Sequence, residues 1–80
     1  MIILKQDCTG TIDSKKCTFE TDANAQLLAI PNDGSHAVVI GKFSSDVAAR
    51  RCISKLFTAL SEGKEYFKVP FSKWKKPKEN

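Results

Sequence analysis

Residues 25–63 read AQLLAIPNDGSHAVVIGKFSSDVAARRCISKLFTALSEG and contain the two patterns that decide the fold. Residues 44–63 open with serines and an aspartate, which favour a helix N-cap and first turn, and close on Gly63, which favours a C-terminal cap. At 100° per residue, the apolar side chains gather on one half of the helical wheel. That half carries Ala48, Ala49, Cys52, Ile53, Leu56, Phe57, Ala59 and Leu60. This segment therefore predicts an amphipathic helix that packs one face on an apolar surface.

The preceding residues, 25–43, predict a β-hairpin. Two apolar runs flank a PNDGS segment whose Asp-Gly pair suits a turn with a left-handed glycine. Pairing of Pro31 with Ser35 places Leu27 opposite Val39. In this register both faces of the hairpin are apolar, and a single helix covers only one of them.

The second hairpin face is a candidate protein interface, with Leu27, Val39 and Phe43 as its residues. An uncovered apolar patch is typical of a surface that binds another protein or a second copy of the chain. The alternative is closure within the chain, in which short strands around residues 2–4 and 17–19 fold back over that face. The sequence leaves both alternatives open.

Further strands complete the predicted architecture. Residues 1–5 and 16–21 favour short strands, and residues 65–71 favour an extended stretch that Pro70 confines to a sheet edge or end. Together they predict an α+β domain, an antiparallel sheet of four or five strands with the amphipathic helix packed on one face. We expect residues 1–71 to form this single domain.

Length and charge restrict the function. The chain has 80 residues with 13 Lys and Arg against 9 Asp and Glu, a net charge of +4. A chain of this size builds one thin core without a deep enclosed site, which argues against most enzymes. Residues 1–71 hold 9 basic and 8 acidic groups, whereas residues 72–80 hold 4 and 1. The basicity therefore belongs to the C-terminal segment.

We interpret residues 72–80 as a basic, flexible tail with a candidate nucleic-acid contact. Its residues are Lys73, Trp74, Lys75 and Lys76. Lysines attract phosphates, and tryptophan offers a stacking surface to bases. The alternative is a solvated terminus that aids solubility.

The cysteines and the histidine show no metal-binding or catalytic spacing. The chain has an odd number of cysteines, Cys8, Cys17 and Cys52, and no CxxC pair. This pattern favours free thiols in a reducing cytoplasm. With His36 they would form a zinc site only across long gaps, unlike structural zinc sites. His36 is the one obvious general base, and the sequence places no nucleophile beside it. We therefore expect no enzyme activity, no metal, no cofactor and no small-molecule substrate.

The N-terminal segment predicts no targeting to a membrane. Its apolar run, Ile2 to Leu4, is too short for a signal-peptide core or a membrane span. We expect a cytoplasmic protein without membrane association.

Three short motifs define the order of elements: MIIL at the start, Ile40-Gly41-Lys42-Phe43 before the helix, and the stretch from Phe67 to Pro70. In this order the chain resembles a group of small uncharacterised proteins from low-GC Gram-positive bacteria, their phages and integrated mobile elements. The resemblance covers about residues 1–70 and implies an antiparallel sheet plus a helix. It implies no activity and no catalytic positions.

The combined interpretation is a non-enzymatic interaction or accessory module. The resemblance implies an association with a phage or mobile element, and the partner is either an unidentified protein or a second copy, so the chain acts as a monomer or homodimer. The alternative is a nucleic-acid-binding protein that uses the lysine-rich tail with Trp74.

Overall fold

A computed structural model describes residues 1–70. Within them lie the strands β1 (Ile2–Leu4), β2 (Thr11–Asp13), β3 (Cys17–Thr21), β4 (Gln26–Pro31), β5 (Val38–Lys42) and β6 (Tyr66–Lys68). The helix α1 (Asp46–Ser61) lies between β5 and β6, and one 3-10 turn (Ser14–Lys16) joins β2 to β3. The predicted α+β class is therefore confirmed.

The strands form two sheets of three, so the predicted single sheet of four or five antiparallel strands is wrong. The first sheet has the order β2-β1-β6, with β1 antiparallel to β2 and parallel to β6. The second has the order β3-β4-β5 and is antiparallel throughout. A parallel pair needs a long connection between its strands, and nearly the whole chain between β1 and β6 supplies it. Short-range sequence patterns do not reveal such a pairing.

The helix α1 forms where the sequence predicts it. Ser45 is the N-cap, and its Oγ accepts a hydrogen bond from the Ala48 N–H at 3.2 Å. Gly63 follows the helix with φ +73°, the left-handed conformation of a C-terminal cap. The buried face packs on β3 and β4. Its residues are Ala49, Cys52, Leu56 and Ala59. Phe57, predicted on this face, lies at its flank and is 52% exposed.

The pairing of β4 with β5 differs from the predicted register. Leu28 lies opposite Val39, Leu27 lies opposite Gly41, and a β-bulge between these pairs leaves Ile40 as the extra residue. Residues paired across a ladder share one face of the sheet, and neighbours along a strand lie on opposite faces. Leu27 therefore points into the core, and Leu28 shares the opposite face with Val39.

The core lies between the two sheets and the helix. Its fully or almost fully buried side chains are Ile3, Leu27, Ala29, Ile40, Cys52, Leu56 and Val69. Both sheets and the helix contribute side chains to this core, so all of them bury apolar surface in the same interior. One face of the β4–β5 hairpin is thus covered by other elements of the same chain.

Candidate functional site

The face of the second sheet that points away from the core carries an apolar strip. It consists of Leu28 and Ile30 of β4 and Val39 of β5, and we call it the outer strip. Leu28 and Ile30 alternate with the buried Leu27 and Ala29, so they lie on the opposite face of β4. Val39 is 39% exposed, and Leu28 and Ile30 are half-buried.

Polar and charged side chains border the outer strip on both sides. Glu20 of β3 lies opposite Leu28, and Thr18 lies opposite Ile30. On the β5 side, Lys42 lies opposite Gln26. Thr18, Glu20 and Lys42 are exposed. An apolar centre with a polar rim is the usual organisation of a protein interface.

Only one of the three predicted interface residues belongs to this strip. Val39 does, but Leu27 is completely buried, which corrects its assignment to an exposed face. Phe43 is half-buried and packs against the core, and its N–H donates to the Ala25 carbonyl oxygen at 2.9 Å. The register is the reason, because Val39 pairs with Leu28 and so shares its face, whereas the prediction paired Val39 with Leu27.

Gln6 holds the edge of β5 beside the outer strip. Its N–H donates to the Ile40 carbonyl oxygen at 2.9 Å, and its side-chain Oε1 accepts from the Lys42 N–H at 2.8 Å. Its Nε2 donates to the carbonyl oxygens of Lys42 at 2.9 Å and Pro70 at 2.8 Å. One side chain therefore ties together the segment after β1, the edge of β5 and the segment after β6. Sequence reasoning missed this residue, and no sequence motif marks it.

The first sheet also exposes apolar side chains on its outer face. Ile2 is 39% exposed and Tyr66 is 73% exposed, and with Leu4 they line a shallow hollow. The strands of this sheet have three residues each, whereas β3, β4 and β5 have five or six. The second sheet is therefore the larger platform.

The cysteines and His36 do not come together. Cys8 is exposed, Cys17 is half-buried and Cys52 is buried. Burial raises the pKa of the Cys52 thiol to about 11, and burial together with Asp13 and Asp33 raises the pKa of Cys17. Both thiols are thereby held in the protonated, unreactive form at neutral pH. Among residues 1–70, no three or more His, Cys, Asp or Glu residues are arranged to hold a metal ion.

The predicted nucleic-acid contacts, Lys73, Trp74, Lys75 and Lys76, lie outside the described residues. In residues 1–70, no helix combines the length and apolar character needed to cross a membrane. Comparison of the chain with protein-family models, curated proteins and solved structures found no match.

Proposed function

We propose that this domain is a non-enzymatic interaction module that binds a protein partner through the outer strip. The supporting observation is the exposure of Val39 beside Leu28 and Ile30 on adjacent strands. An antiparallel sheet with one solvated face normally presents polar residues there. These three positions are aliphatic instead, and binding of a partner would remove their apolar surface from contact with water.

The chemistry of the surface favours a partner with a small apolar centre and a polar surround. Three aliphatic side chains supply the centre, while Glu20 on one flank and Lys42 on the other supply opposite charges at the rim. Rim charges act mainly on the rate and orientation of encounter, and the apolar centre supplies most of the affinity. A strip of this size suits a weak or transient complex.

A single substitution tests the proposal. Val39→Lys places a charge at the centre of the outer strip, and Val47→Lys is the matched control on α1, where Val47 is 55% exposed. Each variant and the parent chain are immobilised and exposed to nuclease-treated lysate of the source cell, and the bound proteins are quantified. We expect a protein that the parent and Val47→Lys retain, with at least about tenfold loss on Val39→Lys.

The same bound proteins on all three chains would reject the outer strip as the binding surface. Urea denaturation of each variant establishes that both remain folded, because an exposed site tolerates substitution with a change of about 0.5 kcal/mol or less. A loss of binding by Val47→Lys as well would assign the interaction to another surface.

The lysine-rich segment supports the alternative function of nucleic-acid binding. Lys73, Lys75 and Lys76 surround Trp74, a composition that combines phosphate attraction with base stacking. The test is the full chain with these three lysines replaced by alanine, titrated with single-stranded and duplex DNA at several salt concentrations. We expect weaker binding and a salt slope reduced by about one for each replaced lysine that binds a phosphate in the parent chain. Equal affinity and slope would reject this alternative.

A further inference from the structure

The strand β3 forms an open edge of the second sheet. Within the described residues it pairs only with β4. The other edge of this sheet, along β5, is occupied by Gln6 at Ile40 and Lys42. An open edge offers its backbone N–H and C=O groups to a further strand.

Two hydrogen bonds identify which residues of β3 face the open side. The Asn32 N–H donates to the Lys16 carbonyl oxygen at 2.8 Å, and the Asp22 N–H donates to the Gln26 carbonyl oxygen at 3.1 Å. Hydrogen-bonded pairs alternate along an antiparallel ladder, so the even-numbered residues of β3 bond to β4. The three odd-numbered residues therefore direct their backbone groups outward. They are Cys17, Phe19 and Thr21.

The β3 edge lacks the features that normally block pairing. Cys17–Thr21 contains no proline, no lysine and no bulge. It is rich in threonine and aromatic residues, which favour strands. The edge strands of the first sheet, in contrast, have three residues each, and Pro70 follows β6 closely. Among the described edges, β3 is thus as long as β5 and the least protected.

We propose that β3 pairs with β3 of a second copy, antiparallel and centred on Phe19. In this register Cys17 lies opposite Thr21 of the partner subunit, and Phe19 lies opposite Phe19 of the partner subunit. All the outward backbone groups then meet outward groups of the second strand, so each N–H and C=O gains a partner. The half-buried Phe19 rings meet at the symmetry axis as an aromatic cross-strand pair.

The charges beside β3 are complementary in the same register. Lys16 lies opposite Asp22 of the partner subunit, and by symmetry this pair occurs twice. Glu20 lies opposite the uncharged Thr18 of the partner subunit. A register centred on Thr21 would instead oppose Glu20 to Asp22, two like charges. One centred on Thr18 would set Thr21 against Lys15, which lies in the 3-10 turn beyond Lys16, whose carbonyl oxygen accepts the last ladder hydrogen bond from the Asn32 N–H.

The pairing places the two outer strips on one continuous sheet. Each copy adds its outer strip to the same face, with Thr18 and Glu20 of both copies between them, so a partner protein would meet two apolar strips instead of one. The dimer does not depend on that partner, because the outer strip takes no part in the edge contact. The two proposals therefore fail independently.

Sedimentation of the full chain across concentrations up to hundreds of micromolar tests the dimer. Lys16→Glu puts a negative charge opposite Asp22 of the partner subunit, whereas Lys15→Glu makes the same change of charge opposite an uncharged alanine. We expect Lys16→Glu to weaken the dimer about tenfold and Lys15→Glu to weaken it much less. A monomer throughout the range, or equal weakening by both variants, would overturn the proposal.

Amide hydrogen exchange gives a second, direct measurement. The N–H groups of Cys17, Phe19 and Thr21 have no partner among residues 1–70 of one copy and gain one in the dimer, so their protection should rise about tenfold or more with protein concentration. The N–H groups of Thr18 and Glu20 should stay protected at all concentrations. A dimer that Val39→Lys abolishes, without protection of the three outward amides, would assign self-association to the outer strip and overturn the edge pairing.

Discussion

At the scale of single residues, Gly41 allows the two sheets to approach each other. A Cβ at this position would lie 2.8 Å from Val69 Cγ1, closer than real Cβ atoms approach, and 3.0 Å from Phe43 Cε2, a tight contact. Val69 is completely buried and has little room to move. We expect Gly41→Ala to lower the free energy of unfolding by about 1–3 kcal/mol, measured by urea denaturation.

Gly10 provides the control for this substitution. Apart from its two chain neighbours, no atom of residues 1–70 lies within 4 Å of the position of a Cβ on Gly10, so Gly10→Ala should change the free energy of unfolding by about 0.5 kcal/mol or less. If Gly41→Ala were equally neutral, β5 would have to shift freely away from Val69, contrary to the close contact described above.

A second residue, Asp33, makes the hairpin loop sensitive to pH. The hydroxyl of Ser35 donates to Asp33 Oδ1, and the Ser35 N–H donates to the same atom at 2.8 Å. These bonds hold the pKa of Asp33 below its usual value. Since the pKa is depressed in the folded state, the stabilisation is present above the unfolded-state pKa and is lost as pH falls through the folded-state value.

Substitution of Ser35 tests this account by NMR titration of the carboxyl groups. Ser35→Ala removes the hydroxyl donor, the larger of the two causes, so the pKa of Asp33 should rise toward its usual value. The pKa of Asp7 is lowered by Thr9 in the same way and should stay unchanged, which makes it an internal reference. An unmoved Asp33 titration in the variant would contradict the assignment.

At the scale of elements, Gln6 decides whether the two sheets stay joined along β5. Gln6→Glu keeps an acceptor for the Lys42 N–H but replaces the amide donor with an oxygen that faces two carbonyl oxygens. The variant loses both hydrogen bonds that the Gln6 amide donates, and a carboxylate oxygen is left facing two carbonyl oxygens. We therefore expect a fall of about 1–3 kcal/mol in the free energy of unfolding. Urea denaturation measures it.

Gln26→Glu is the matched control, since the same chemical change falls on a side chain for which the structure shows no hydrogen bond within residues 1–70. We expect about 0.5 kcal/mol or less there. Similar losses for both variants would mean that the introduced negative charge causes the loss, and that the hydrogen bonds of Gln6 do not join the sheets.

The elements differ in how far local sequence determines them. Helix α1 is predictable because Ser45, Gly63 and a regular apolar face all lie within its own segment. The bulge in β5 is not, because no local pattern marks its extra residue, and the space at Gly41 is limited by Val69, which is distant in sequence. The same holds for the outer strip, whose members depend on the register of β4 with β5, and for Gln6, whose partners lie on two other segments. Strand β2 is too short to show a periodicity.

At the scale of the whole molecule, the small size of the chain means that association adds to its stability. A chain of 80 residues in two thin sheets buries a modest fraction of its surface, and oligomerisation is one of the usual ways to compensate. The open edge of β3 and the outer strip both belong to the second sheet, so one association event at the edge enlarges the face available to a partner. Both surfaces are formed by residues that the structure describes.

The β3 dimer predicts that the melting temperature rises with protein concentration. Above the dissociation constant, each tenfold increase in concentration adds about 1.4 kcal/mol per dimer, or about 0.7 kcal/mol per chain. A domain of this size gains about 4–8 °C per kcal/mol, so the expected rise is about 3–6 °C for each tenfold increase. Lys15→Glu should keep this slope, and Lys16→Glu should reach it only at concentrations about tenfold higher. A melting temperature constant over a hundredfold range would show that the folded chain gains no stability from a second copy, and that the β3 edge stays open in solution.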